Sequence, residues 1–186
     1  RHEEPPAPTA PESPVVATEW PESRGNPALT GVAPGQVTPP LKLLWRHMTD
    51  GPVLSSAVIA HGRVFVGSDD GKLHALNLAD GSVVWTFDAQ EPIEAPPLVL
   101  DGRVFVGDTR GVFHALKADT GQPLWKFETG DKIIGAANWL VSGDRTNLVV
   151  GSHDFLLYSL NAATGATNWV YETGNYINGT PAIADG

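Results

Sequence analysis

The 186-residue sequence contains no cysteine. That excludes disulfides, thiol nucleophiles and cysteine-ligated zinc, and it leaves the compartment open. Positive charge is scarce: 12 Lys and Arg stand against 21 Asp and Glu, for a net charge of −9. A nucleic-acid backbone is a poor partner for such a chain, and no nucleic acid is expected. Charged residues make up only 18% of the sequence, fewer than helix-rich soluble proteins usually carry. No apolar run approaches the roughly 18 residues of a membrane helix. No window sustains a 3.6-residue apolar period, so helices are not expected. There is no Gly-x-Ser-x-Gly elbow, no Gly-Lys-Ser/Thr phosphate loop and no His-Glu-x-x-His pair, so no catalytic residue is assigned. The 6 histidines include no close His-x-His spacing, and no metal site is expected. The first residue is Arg1 rather than Met, for which a cleaved export signal is one explanation.

Proline, glycine and tryptophan are abundant, with 16, 20 and 6 of each. The first 40 residues hold ten of the prolines and are set apart as two segments. Residues 1–19 read as an extended, solvated Pro/Glu-rich tether. Residues 20–40 form a less polar extension, Trp20 to Gly31 above all, expected to pack onto the domain. A Pro-rich tether suits an exported protein held by a lipid or membrane anchor upstream.

The rest of the chain repeats itself. Trp45, Trp85 and Trp125 are 40 residues apart, and Trp169 follows after 44. The word Gly62-Arg-Val-Phe-Val-Gly67 returns as Gly102-Arg-Val-Phe-Val-Gly107, and His74-Ala-Leu76 as His114-Ala-Leu116 and then Tyr158-Ser-Leu160. The four extra residues of the third unit fall near Ser142 to Asn147, at a hairpin tip where insertions are cheap. Each unit reads as four short strands, in the first about Leu54–Ala60, Arg63–Gly67, Lys72–Asn77 and Ser82–Phe87, separated by Gly- and Asp-rich turns. Four antiparallel strands per 40-residue unit is the blade of a β-propeller, so the fold class is all-β. The length is WD-like, but the Trp-Asp and Gly-His signatures are missing. The limits are an outer strand at 41–48, blades at about 53–88, 93–128 and 133–172, and the start of a further blade at 177–186.

At this point the residues resemble a known family. Ala75-Leu-Asn-Leu-Ala-Asp-Gly81-Ser-Val-Val-Trp85 is similar to the tryptophan-docking motif of pyrroloquinoline-quinone-like (PQQ-like) repeats, Ala-x-Asp-x-x-Thr-Gly-x-x-x-Trp. Ala115 to Trp125 keeps Ala, Thr-Gly and Trp, with Lys117 where Asp is usual; Ser159 to Trp169 keeps Thr-Gly and Trp, with Asn161 there. The resemblance covers about residues 43–186. It implies structural roles for Trp45, Trp85, Trp125 and Trp169 and for the turn glycines Gly81, Gly121 and Gly165. Such repeats occur in quinoprotein dehydrogenases and in a BamB-like lipoprotein of outer-membrane assembly. The match of 177–186 to Val53–Gly62 leaves three blades and a fraction, which cannot close a ring. A longer parent of six to eight blades, or a partner chain supplying the rest, is the expectation.

In a propeller, one face gathers the loops between blades and the turns between second and third strands. Here those segments carry Asp50, Asp69, Asp70, Asp88, Glu91, Glu94, Asp108, Glu128, Asp131, Asp154 and Glu172, opposed by Arg110 and Lys132. A negative field on one mouth favours cations, basic peptides or a cationic partner surface, with Asp50, Asp88, Glu91, Glu94 and Asp131 as interaction candidates; the plainer alternative is a solvated acidic rim. The inner-strand positions Ser55-Ser56, Ala95-Pro96, Gly135-Ala136 and Gly179-Thr180 are small, as converging blades require. Asn138 and Trp139 break the pattern, lining either a specific spot or a local packing change. His74 and His114 could share a metal, but Tyr158 at the same place points to aromatic packing between blades. Function therefore reads as an extracytoplasmic (periplasmic, bacterial) binding or scaffold module with a protein partner. The alternative is the propeller of a PQQ- and calcium-dependent dehydrogenase, with Glu94 the first candidate ligand. No Cys–Cys pair of such enzymes is present, and no cofactor is assigned.

Overall fold

The computed structural model describes residues 19–33 and 39–184. Twelve strands form three separate four-stranded antiparallel sheets, each meandering in sequence order. Blade 1 holds β1 (Val58–Ala60), β2 (Arg63–Gly67), β3 (Lys72–Asn77) and β4 (Val83–Asp88). Blade 2 holds β5 (Leu98–Leu100), β6 (Arg103–Gly107), β7 (Val112–Lys117) and β8 (Pro123–Glu128). Blade 3 holds β9 (Asn138–Ser142), β10 (Arg145–Gly151), β11 (Leu156–Asn161) and β12 (Thr167–Glu172). The extra residues of blade 3 lengthen its first hairpin, which pairs from Arg145 with Ser142 down to Val149 with Asn138. These are blades of a β-propeller. Apart from the short 3₁₀ turn Ser23–Gly25, no helix is present among the described residues.

Apolar residues alternate along the strands of each blade and fill the space between blades. Phe65, Leu73 and Trp85 of blade 1 share one cluster with Ile93, Val104 and Leu116 of blade 2. Phe105 and Phe113 of blade 2 share a second with Ile133, Leu148 and Leu160 around blade 3. The joints repeat. In each blade the third and fourth strands slip register by a bulge, at Ala75/Leu76, Ala115/Leu116 and Ser159/Leu160. A bulge bends the outer strand and re-aims its side chains. The indole beside it then lies on the β3–β4-type turn of the next blade. Trp85 Nε1 donates to Ala118 O at 3.1 Å and Trp125 Nε1 to Ala162 O at 3.2 Å; Trp45 does the same to Leu78 O at 2.9 Å. The turn glycines have φ of 72°, 71° and 73°, and a Cβ on Gly81, Gly121 or Gly165 would come within 2.5, 2.7 or 2.6 Å of the indole carbons. Both the left-handed backbone and the close approach require glycine.

Three boundaries differ from the sequence reading. Residues 41–48 pair with no strand among the described residues; Leu41, Leu43, Leu44 and Met48 are exposed and Trp45 is the anchor. The first strand of blade 1 begins at Val58 rather than Leu54, and that of blade 2 at Leu98, directly after Pro96 and Pro97, which lack the N–H a ladder needs. Residues 177–184 form no strand. The tether expected at 1–19 lies outside the described residues except for Glu19.

Candidate functional site

The loops between blades and the turns between second and third strands meet at one end of the axis. Asp69 N donates to Pro52 O at 2.9 Å, and in the next two blades Thr109 N donates to Pro92 O and His153 N to Lys132 O, each at 3.0 Å. Below this surface, a ring on each third strand is held by a carboxylate from the adjacent turn. His74 meets Asp70 at 3.2 Å, His114 meets Asp108 at 2.8 Å, and the Tyr158 hydroxyl donates to Asp154 at 2.6 Å. The same rings pack edge-on against the preceding element: His47 on His74, Phe87 on His114 and Phe127 on Tyr158, with centroids 5.4, 5.2 and 5.2 Å apart. The positions of His74 and His114 are thus taken by inter-blade contacts, one per joint.

The supporting carboxylate changes place in the sequence while keeping its place in space. Blades 1 and 3 read Ser68-Asp69-Asp70 and Ser152-His153-Asp154; blade 2 reads Asp108-Thr109-Arg110. Asp70 and Asp154 each cap a strand N–H, of Lys72 and Leu156, as well as holding the ring. Asp108 caps the N–H groups of Arg110 and Val112 from two residues earlier. Burial would raise the carboxyl pKa of Asp70 and Asp154. Hydrogen bonds outweigh it: Lys72 and Asp50 N–H with His74 for the first, Tyr158 O–H with Gly130 and Leu156 N–H for the second. Both acids therefore titrate below their ordinary range. Their contribution to stability is present above about pH 4 and lost as pH falls through the lowered values. Burial and the Asp154 carboxylate push the Tyr158 hydroxyl well above its ordinary value. Replacing Asp108 by Ser should cost about 1–3 kcal/mol, the range for orphaning buried donors. Adding Arg110→Asp should recover most of it in urea unfolding, because the pair then matches blades 1 and 3.

This arrangement thins the acidic rim. Asp70, Asp108 and Asp154 face inward, and three further acids face cations. Asp50 is 3.3 Å from Lys72, Glu91 is 3.4 Å from Arg110, and Glu128 is 2.8 Å from Lys126. Lys72 and Lys126 lie on strands, outside the turn segments, so a count over turns misses them. Asp88 caps Gln90 N–H and Asp131 caps Lys132 N–H, both with exposed side chains. A cavity of about 340 Å³ between blades 1 and 2 is lined by Glu91, Arg110, Lys126 and Glu128. Glu94 is half-buried just ahead of the inner strand of blade 2. Among the described residues no three His, Asp or Glu side chains gather as metal ligands.

The other end of the axis holds what the sequence reading left open. Residues 20–27 cross the inner strands of all three blades. Trp20 pairs antiparallel with Ile59, Val99 N donates to Pro21 O at 2.7 Å, and Asn138 Nδ2 donates to Pro27 O at 2.7 Å. Trp139 Nε1 reaches Glu22 Oε1 at 3.4 Å. Glu22 is 4% exposed and its Oε2 has no partner. Burial raises its carboxyl pKa, only partly offset by the Trp139 hydrogen bond. Folding therefore favours the protonated form, which supports the fold fully below the ordinary value of 4.5; that support is lost as pH rises through the folded value. Glu22→Gln should accordingly raise the melting temperature at pH 7, and the gap from the parent should close below about pH 4.5. A gap of equal size at both pH values would exclude this account. The sequence did not single out Glu22; the signal was Asn138 and Trp139, the inner-strand pair that broke the small-residue pattern.

The family model described as outer membrane protein assembly factor BamB matches residues 38–138 and 110–186. No curated protein matches the sequence significantly. Among solved structures, BamB from Moraxella catarrhalis is 25% identical with a TM-score of 0.65, over 76% of this chain and 44% of that one. Quinohemoprotein alcohol dehydrogenase ADHIIG from Pseudomonas putida HK5 is 21% identical with a TM-score of 0.66, over 83% and 26%. A europium-containing methanol dehydrogenase is 20% identical with a TM-score of 0.68, over 83% and 32%. The chain thus spans less than half the length of each of these three, and the two dehydrogenases share the fold alone.

Proposed function

Because the chain belongs to the PQQ-like repeat family whose model is described as outer membrane protein assembly factor BamB, we propose that it is an extracytoplasmic binding module whose loop face docks a cationic protein surface. The observation that supports this reading is the division of labour among the carboxylates. Those that hold a ring, at Asp70, Asp108 and Asp154, are committed to joining blades. Asp88 and Asp131 stand exposed on the loops between blades. Acids on loops carried by rigid sheets suit recognition of an opposite charge. No described helix is long and apolar enough to cross a membrane.

The test is site-specific photo-crosslinking in the native envelope. A crosslinker at Asp131 should give a discrete protein adduct, and one at Asp80 or Asp119 on the opposite face should not. Combined Asp88→Lys, Glu91→Lys and Glu94→Lys should erase the adduct while leaving the melting temperature within a few degrees. Equal adducts from both faces, or an adduct indifferent to the reversal, would overturn the reading. A saturable change in PQQ absorbance that requires calcium would instead favour a cofactor-dependent enzyme.

A further inference from the structure

The first strand of each sheet has one free edge, and the three free edges face the axis. Unpaired N–H and C=O groups on a sheet edge are a template for an added strand. Residues 20–27 use that template. Trp20 N donates to Ile59 O at 2.5 Å and Ile59 N returns to Trp20 O at 2.8 Å, in the two-way pattern of an added antiparallel strand. Val99 N on blade 2 and Ile183 N beyond blade 3 each donate to a carbonyl of the segment, Pro21 O and Pro27 O.

Blade 3 is adapted to this segment at a cost to its own core. By strand register, Asn138 stands where blade 1 has Val58 and blade 2 has Leu98. Both of those are core residues, and Asn138 is 0% exposed. A buried amide is unfavourable unless its hydrogen bonds are made. The Asn138 Nδ2 makes them to Pro27 O and Pro181 O, at 2.7 Å each. Trp139 likewise turns its N–H to Glu22. Glu22 itself is buried with one oxygen unpartnered, which disfavours the segment's resting place. The Trp20 ring lies on its own segment's Gly25, since a Cβ there would sit 2.8 Å from the indole. Main-chain pairing, one reserved amide and one reserved indole are the elements of a peptide-binding groove rather than of a core.

We propose that the groove along the inner edges of the three blades is a recognition site for a peptide carrying an aromatic residue, a proline and a glutamate in succession ahead of a tight turn, and that residues 20–27 are its intramolecular occupant. This site goes beyond the acidic loop face and lies at the other end of the axis, so the two readings stand or fall separately. Release of the segment exposes the Ile59 and Val99 edges, the Asn138 amide and the Trp139 N–H together to a competing chain.

The experiment cuts the occupant loose without removing it from the folding reaction. A protease site inserted after Val32, which is 72% exposed, is cleaved in the folded full chain. A fluorescent peptide of residues 18–30 is then titrated in. Saturable one-to-one exchange is expected, weakened at least tenfold when the peptide is N-methylated at Trp20 and lost its donor to Ile59. Asn138→Val, which copies Val58 of blade 1, should weaken exchange by a similar factor while the melting temperature of the uncut chain holds or rises. No exchange within a day, equal binding of a scrambled peptide, or a parallel fall in melting temperature and binding for Asn138→Val would each overturn the proposal. The last would show Asn138 to be simply structural.

Discussion

Trp85→Ala is expected to destabilise the fold by about 3–5 kcal/mol, the range for removing a large buried aromatic. The indole is 9% exposed, donates to Ala118 O and covers Gly121. Its ring also packs on Phe65 of its own blade, with centroids 5.8 Å apart. Gly121→Ala probes the same joint from its other side, since a Cβ there would meet the indole at 2.7 Å on a left-handed backbone of φ 71°. Trp85→Ala combined with Gly121→Ala should cost at least about 1 kcal/mol less than the sum, because the methyl then meets no indole. Strict additivity in urea unfolding would mean that the indole acts within its own sheet and not at the joint between blades.

The second large effect concerns the glycine that ends each second strand. A Cβ on Gly107 would overlap the Ile133 side chain, and Gly67 and Gly151 meet Ile93 and Ile177 in the same way. Ile133 is wholly buried. Gly107→Ala forces it off its position, an overpacking cost of about 1–3 kcal/mol. Ile133→Ala alone should cost about 2–5 kcal/mol through the cavity it leaves. The double variant should cost at least about 1 kcal/mol less than the sum, because the added methyl fills part of that cavity. Strict additivity would show that the close approach is relieved by backbone movement and not by side-chain fit.

These joints explain why the fold was readable from the sequence. The 40-residue spacing of the tryptophans and the repeated Gly-Arg-Val-Phe-Val-Gly word are imprints of a contact that must be remade at every blade. A residue that serves one joint recurs at the next. The candidate site was less readable because its determinants do not recur. Asp108 performs the task of Asp70 and Asp154 from two positions earlier, so a comparison of repeats position by position sees a change where the geometry has none. Lys72 and Lys126 reach the loop face from strand positions, and the rim is consequently less negative than its turns suggest. Glu22 belongs to a segment outside the repeat, and its burial depends on strands that lie far from it in sequence. Asn138 did leave a mark, as an amide where Val and Leu stand in the other blades. Its partner, Pro27 O, lies 111 residues away in sequence, so no local pattern carries the contact.

The indole joints also give the stack a polarity. Each joint sets an outer-strand tryptophan of one unit on the Gly turn of the following unit, so donor and acceptor surfaces differ. A surface of this kind cannot meet its own copy across a two-fold axis. Any self-association through these faces must run head to tail, as a ring or as an open file of molecules. Among the described residues Trp45, Trp85 and Trp125 are each seated on the turn of the following unit, so every joint runs in the same direction along the stack.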